Sequence, residues 1–211
     1  MYSLAIFGGT FDPVHNGHIQ TGITIQNNFH FDSFCYLPCK IPALKPPAHA
    51  SNEQRIEMLR LALKNRPDFS VDLREIKRNS PSYMVETLKS FRKEHQNASI
   101  TLILGYDSFI SLPQWHQWTQ ILTLANILVI NRNHCKQTAI PEELNPFMIQ
   151  HRNDSKDALL NTKAGTICFF DAGNYPISST DVRNKLRNKQ DVTNALPQSV
   201  YEYIKQWALY Q

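Results

Sequence analysis

Nothing in this chain is long and apolar enough to cross a bilayer, and no basic flank precedes its first apolar segment, because Met1-Tyr2-Ser3 leads straight into it. A membrane anchor and a secretory leader are therefore not expected, and a cytoplasmic location is. Cysteine is sparse: Cys35 and Cys39 lie at a spacing unlike a zinc knuckle, while Cys135 and Cys168 stand alone. Buried or incidental thiols of a reducing compartment are expected, rather than a metal centre or disulfides. Positive charge is thin as well. A net charge of +4 suits a site that handles phosphates but falls short of the concentrated basic face of a nucleic-acid binder. Repeats and low-complexity tracts are also missing.

What remains is the composition of an ordinary globular protein, 42% hydrophobic and 19% charged. A chain of 211 residues buries enough surface to need no staples. It fits one domain over residues 1–211, with a helical portion from about residue 180. Leu4-Ala5-Ile6-Phe7 reads as a buried strand ending at a glycine pair, followed by a helix from Gly17 to Asn28 and a strand from Ser33 to Leu37. Pro38, Pro42, Pro46 and Pro47 make the next stretch, to Ala50, an irregular loop. Ser51-Asn52-Glu53-Gln54 is a capping box for a helix carrying Ile56, Leu59 and Leu63. Phe69 to Leu73, Ile100 to Leu104, Ile127 to Ile130 and Ile167 to Phe170 read as further strands. Helices are expected from a Ser80-Pro81-Ser82 cap to Glu94, from Trp115 to Leu122, once between Pro141 and Gly165, and from Thr180 and Gln198. Strands alternating with helices at this spacing predict an α/β fold, a doubly wound Rossmann-like parallel sheet with a small C-terminal helical extension.

In such sheets ligands sit at the carboxyl ends of the strands, where Gly8 and Gly9 let backbone N–H groups approach anionic oxygens. The spacing there is neither G-x-G-x-x-G nor the Walker pattern, which disfavours a dehydrogenase or a P-loop NTPase. In their place His15 and His18 bracket Gly17 at the start of a helix, where donors and the positive end of the dipole can meet phosphate charge. A lone histidine would read as a surface or core residue; two in H-x-G-H directly after a strand read as a site. Asp12-Pro13 reads mainly as a turn-setting pair. The segment GGTFDPVHNGH resembles the signature of the HxGH nucleotidyltransferase superfamily, whose members join a nucleotidyl group to a phosphorylated acceptor and release pyrophosphate. The resemblance implies ATP contacts from Gly8, Gly9, Thr10, Phe11, His15 and His18, with both histidines catalytic.

A second segment, Ile177-Ser178-Ser179-Thr180-Asp181-Val182-Arg183, opens a helix near the other end. Ser179 or Thr180 serves as an N-cap on the plainest reading. Arg183 would then oppose the dipole from the first turn, which is unfavourable unless an anion sits there too. The segment resembles the I-S-x-T-x-x-R motif that completes the triphosphate site in the same superfamily, implying that Ile177, Ser178, Ser179, Thr180 and Arg183 bind ATP.

Over essentially the whole chain the landmarks resemble the bacterial nicotinate-mononucleotide adenylyltransferase family. They include Ile76-Lys77-Arg78-Asn79, Pro81-Ser82-Tyr83, Thr87-Leu88, Gly105-Tyr106-Asp107-Ser108 and Pro113-Gln114-Trp115. The reaction implied joins ATP and nicotinate mononucleotide to give deamido-NAD and pyrophosphate. Trp115 would stack on the pyridine ring, although alone it would read as a core tryptophan. Thr10 and the backbone near Tyr83 to Thr87 would receive the acceptor. Asp107 would accept ribose hydroxyls or organise hydrated Mg²⁺ beside Gly105, and Lys45 and Arg132 would meet the acceptor phosphate. Leu44 stands where the family often has a histidine before the basic residue, leaving Lys45 and, as an alternative, His49; Met84 stands where a threonine is common.

The mechanism implied is in-line attack on the α-phosphorus without a covalent intermediate. Mg²⁺ would arrive with ATP, since no carboxylate cluster suggests a dedicated metal cage. The expected partners are small molecules, without nucleic acid or membrane, and a homo-oligomer is compatible with the chain. Nicotinamide mononucleotide and phosphopantetheine stay open as acceptors, though the Trp115 region fits the latter poorly. A non-catalytic nucleotide sensor on the same fold is the remaining alternative, and the intact histidines and Arg183 speak against it.

Overall fold

The computed structural model describes residues 1–42, 44, 46–130 and 139–211. Six strands form one wholly parallel sheet among these residues: β1 (Ser3–Gly9), β2 (Ser33–Pro38), β3 (Phe69–Val71), β4 (Ser99–Gly105), β5 (Asn126–Ile130) and β6 (Ile167–Phe170). Their order is β3-β2-β1-β4-β5-β6. From β1 the chain steps outward through β2 and β3, then returns to build the other half from β4. That reversal opens a crevice at the carboxyl ends of β1 and β4. No described helix is long and apolar enough to cross a membrane.

Both faces of the sheet are covered, so its strands are apolar almost throughout. The period of two still sorts them. Ala5, Phe7, Phe34, Tyr36, Ile103 and Leu128 face one core. Its other side is formed by α1 (Asn16–Phe29), α2 (Asn52–Leu63), α9 (Ser179–Arg187) and α10 (Gln198–Gln206). Leu4, Ile6, Ile100, Leu102, Ile127 and Val129 face the second core. There α4 (Met84–Glu94), α5 (Tyr106–Ile110) and α6 (Ile121–Leu124) close over them. The expected capping box is present, with Ser51 and Gln54 bonding each other's backbone N–H groups.

Several boundaries differ from the sequence reading. The third strand stops at Val71 because Asp72 accepts the Arg74 N–H at 2.8 Å and starts a short helix, α3 (Arg74–Lys77). Ser80-Pro81-Ser82 does not cap α4. Its N-cap is Tyr83, and the Ser82 hydroxyl instead accepts the Lys40 N–H at 3.0 Å. The segment around Trp115 is not one helix but two single 3₁₀ turns, Leu112–Gln114 and Trp118–Gln120, before α6. Gln117, with φ of 50°, interrupts it. Between Pro141 and Gly165 there are two helices, α7 (Asn145–His151) and α8 (Lys156–Asn161), where one was expected. The second starts from a Ser155 cap.

Helix α1 is pressed close to β2 at Gly22, where a β-carbon would overlap the Tyr36 hydroxyl. That hydroxyl donates to the His18 carbonyl at 3.2 Å. Gly22→Ala should therefore destabilise the protein by about 1–2 kcal/mol, since overpacking outweighs the ~1 kcal/mol of helix propensity gained. Urea denaturation checks this, and an unchanged or raised midpoint would show that α1 can slide away.

Candidate active site

The turn after β1 is held from inside. Phe11 adopts φ of 50°, a left-handed conformation that costs a non-glycine residue on the order of 1 kcal/mol. Its ring is 1% exposed and packs edge-on against Phe7 at 6.2 Å and His18 at 5.0 Å. The turn delivers His15 as the N-cap of α1.

His15 and His18 form a reciprocal capping box. The His18 N–H donates to His15 Nδ1, and the His15 N–H donates to His18 Nδ1, each at 3.3 Å. With both Nδ1 atoms accepting, a neutral ring at either position would carry its proton on Nε2. The rings stack at 3.7 Å. Gly17 between them gives the ring room, because a β-carbon there would stand 3.0 Å from His15 Nδ1 and press on it.

Asp12 does more than set a turn. Its carboxylate is buried and gathers donors from distant parts of the chain. Oδ2 accepts the His49 N–H at 2.7 Å, and Oδ1 accepts the Ala50 N–H at 3.1 Å and the Tyr210 hydroxyl at 2.7 Å. His49 Nδ1 stands 3.3 Å from Oδ2. Arg183 Nη1 stands 3.9 Å from Oδ2 and donates to the Asp12 carbonyl at 2.7 Å. Burial disfavours the ionised carboxylate. The His49 N–H, the Tyr210 hydroxyl, the Ala50 N–H and the Arg183 charge outweigh it, and hold the group below its ordinary value.

The second motif docks on the first. Ser178 is the N-cap of α9, in place of the expected Ser179 or Thr180, and Arg183 lies a turn deeper than its first turn. Ser179 is used differently, donating to the Pro13 carbonyl at 2.9 Å. Thr180 accepts Arg183 Nη2 at 3.3 Å.

Between these parts lies a cleft of about 1170 Å³. Gly8, Gly9, Thr10, Phe11, His15, His18, Ile177, Ser178, Ser179, Thr180 and Arg183 line it on one side, and Tyr83, Gly105, Asp107 and Trp115 on the other. Trp115 is half-buried, with its indole N–H toward Ser111 Oγ at 3.4 Å. Thr87 is placed otherwise. It is fully buried, its hydroxyl donates to Glu75 at 2.6 Å and its N–H returns to the Tyr83 carbonyl, so it supports the wall from behind. Lys45 and Arg132 lie outside the described residues, as does Cys135. Cys35 and Cys168 are buried, and burial raises both thiols. Among the described residues no group of His, Cys, Asp and Glu side chains converges as a metal site.

Three participants escaped the sequence reading. Arg55 is fully buried and donates to the Thr10 carbonyl at 2.6 Å, the Cys39 carbonyl at 2.8 Å and Asn52 at 2.6 Å, bolting the first turn to β2 and α2. Glu75 is buried at the cleft wall, and desolvation raises its carboxyl despite the Thr87 bond. Tyr210 reaches Asp12 from the far end of the chain. Arg55 could have been found from its place among Ile56, Leu59 and Leu63 on a buried helix; nothing local marks Tyr210.

Sheet order, helix-capped histidines and a cleft across the reversal point define a nucleotidyltransferase. The family model described as cytidylyltransferase-like matches residues 6–185. The chain is 58% identical to the probable nicotinate-nucleotide adenylyltransferase of Legionella pneumophila (strain Corby), over 211 residues and the whole of both chains. It is 37% identical to that of Marinomonas sp. (strain MWYL1), covering 99% of this chain and 94% of the relative. It therefore belongs to the cytidylyltransferase-like family and, within it, to the nicotinate-nucleotide adenylyltransferases. A solved structure of Plasmodium falciparum nicotinic acid mononucleotide adenylyltransferase complexed with NaAD has the same fold, with a TM-score of 0.73 at 20% identity, covering 100% of this chain and 98% of that one.

The Asp12 network carries a pH signature. A carboxyl held below its ordinary value of 3.8 contributes stability that is complete above that value and is lost as pH falls through the folded one. Asp12→Asn should be less stable than wild type at pH 7, with the gap narrowing as pH falls below 3.8. Urea midpoints across that range measure it; a gap that is constant with pH would remove the ionised carboxylate from the account.

Proposed function

We infer that this chain transfers the adenylyl group of ATP to nicotinate mononucleotide, forming deamido-NAD and releasing pyrophosphate. The observation that carries this reading is the reciprocal capping box of His15 and His18, which fixes both rings at the edge of a cleft that Arg183 also lines. Relatives named for this activity, alike over their whole length, support the choice of substrates.

In the reaction, an oxygen of the acceptor phosphate forms a bond to the α-phosphorus as the bond to the bridging oxygen of pyrophosphate breaks. Charge moves toward the leaving group. His15 and His18 donate to phosphate oxygens as it does so, already oriented, which is where preorganised donors gain most. The glycine pair admits the triphosphate to the backbone, and Arg183 neutralises its far end. Trp115 offers a flat face to the pyridine ring and, with the backbone near Tyr83, fixes the acceptor's angle of approach. Asp107, exposed in the first turn of α5 just after β4, would accept ribose hydroxyls.

Mg²⁺ would enter on the phosphates of ATP and supply charge neutralisation there. The donor set fits that role and no more. Asp12 is filled by protein donors, and Asp107, which lines the cleft with Glu75 and Asp181, would receive the ion's waters.

Pyrophosphate release with ATP and each of nicotinate mononucleotide, nicotinamide mononucleotide and phosphopantetheine tests the assignment. The first should be used best, and turnover with phosphopantetheine alone would overturn it. His18→Ala should lower kcat by roughly 10²–10³; near wild-type turnover would end the catalytic assignment. Trp115→Ala should raise KM for the pyridine nucleotide and spare that for ATP, whereas equal damage to both would make Trp115 a folding residue.

A further inference from the structure

The C-terminal turn reaches the carboxylate of Asp12, which lines the cleft, although Tyr210 itself is not among the lining residues. After α10 the chain passes through Ala208 and Tyr210 with φ of 47° and 63°. Two left-handed non-glycine residues this close together persist only where docking holds them. What docks is the Tyr210 side chain, which is buried in the core beside α9 and α10 and bonded to Asp12 Oδ1 at 2.7 Å. Burial, and then the charge of Asp12, push the phenol well above its ordinary value, so Tyr210 is a constant donor.

One cation lies between Asp12 and the cleft. Arg183 Nη1 is 2.7 Å from the Asp12 carbonyl and 3.9 Å from Oδ2, and the same guanidinium faces the cleft. The charged and titratable groups around the carboxylate are His49, Tyr210 and Arg183, with Arg55 acting on Tyr210 from farther away. The N–H groups of His49 and Ala50 hold the proline-rich loop to the carboxylate. Tyr210 is the donor that belongs neither to that loop nor to the triphosphate motifs.

We propose that Tyr210 is a positioning residue for triphosphate binding: by hydrogen-bonding Asp12 it limits the negative charge presented to Arg183 and leaves that guanidinium to ATP. This rests on the assignment of Arg183 to ATP made above. Without the phenol, Oδ1 keeps a single protein donor, Ala50. The carboxylate then draws Arg183 inward, and ATP binds less well while the acceptor site is untouched.

The test uses the full chain as Tyr210→Phe, with ATP affinity read by titration calorimetry and steady-state kinetics run beside it. The dissociation constant and KM for ATP should rise about tenfold, the scale of a lost hydrogen bond to a charged group. The KM for nicotinate mononucleotide should not move, and kcat should change less than about threefold on the same reasoning. Val200→Ala, a cavity in buried α10, provides a destabilised control whose ATP affinity should match wild type. In an Asp12→Asn background, Tyr210→Phe should weaken ATP no further. An unchanged ATP affinity in Tyr210→Phe, an equal loss in Val200→Ala, or a full loss in the Asp12→Asn background would each overturn the proposal. Wild-type protein that binds ATP but releases no pyrophosphate with nicotinate mononucleotide would instead remove the acceptor assignment, and calorimetry would still decide the role of Tyr210.

Discussion

One buried carboxylate ties this active site together. Asp12 lies in the first turn after β1, yet its partners are residues 49, 50, 183 and 210. A buried charge without donors is costly enough to rearrange or neutralise itself. Each donor it recruits must therefore be brought to a fixed place, and the segment that carries the donor comes with it. The proline-rich loop, α9 and the C-terminal turn are located relative to the glycine pair by this one requirement. Arg55 does the converse, a buried cation that gathers carbonyls of the first turn and of Cys39, just after β2.

On that frame the two motifs become one surface. Ser179 bonds to the Pro13 carbonyl, and Ile177 lies against Gly17, so the start of α9 is packed on the start of α1. Both helix openings line the cleft. In the aromatic wall, Trp115 follows β4 and Tyr83 lies in the crossover that leads to it. The cleft thus gathers segments from the start, middle and end of the chain, and the reversal of strand order opens it.

Much of this was legible in the sequence, and what was missed has a common cause. Strand placement and the parallel fold followed from apolar runs, and the histidine pair and Arg183 from local motifs; all depend on neighbours in sequence. Asp12 was read as a turn residue because its turn is local and its hydrogen bonds are not. Tyr210 carries no pattern at all, since its only mark is a contact made across the whole fold. Thr87 was assigned to the ligand from a motif in which backbone and side chain cannot be told apart, and the fold commits its hydroxyl to Glu75. The region around Trp115 was taken for a helix because 3₁₀ turns share much of that periodicity, whereas Gln117 in a left-handed conformation breaks it.

The reciprocal cap also decides what the histidine pair is unable to do. Each ring has its Nδ1 occupied by a backbone N–H, so that nitrogen is closed to an incoming proton while the cap is intact. Through Nδ1 the pair is therefore unsuited to act as a general base. A phosphate nucleophile is largely ionised at neutral pH, its second pKa being about 6, and it needs no such help. An alcohol or amine acceptor would arrive with a proton to lose, and the Nδ1 atoms of this pair could not receive it. The same two hydrogen bonds that steady the start of a helix thus take two imidazole nitrogens out of proton transfer.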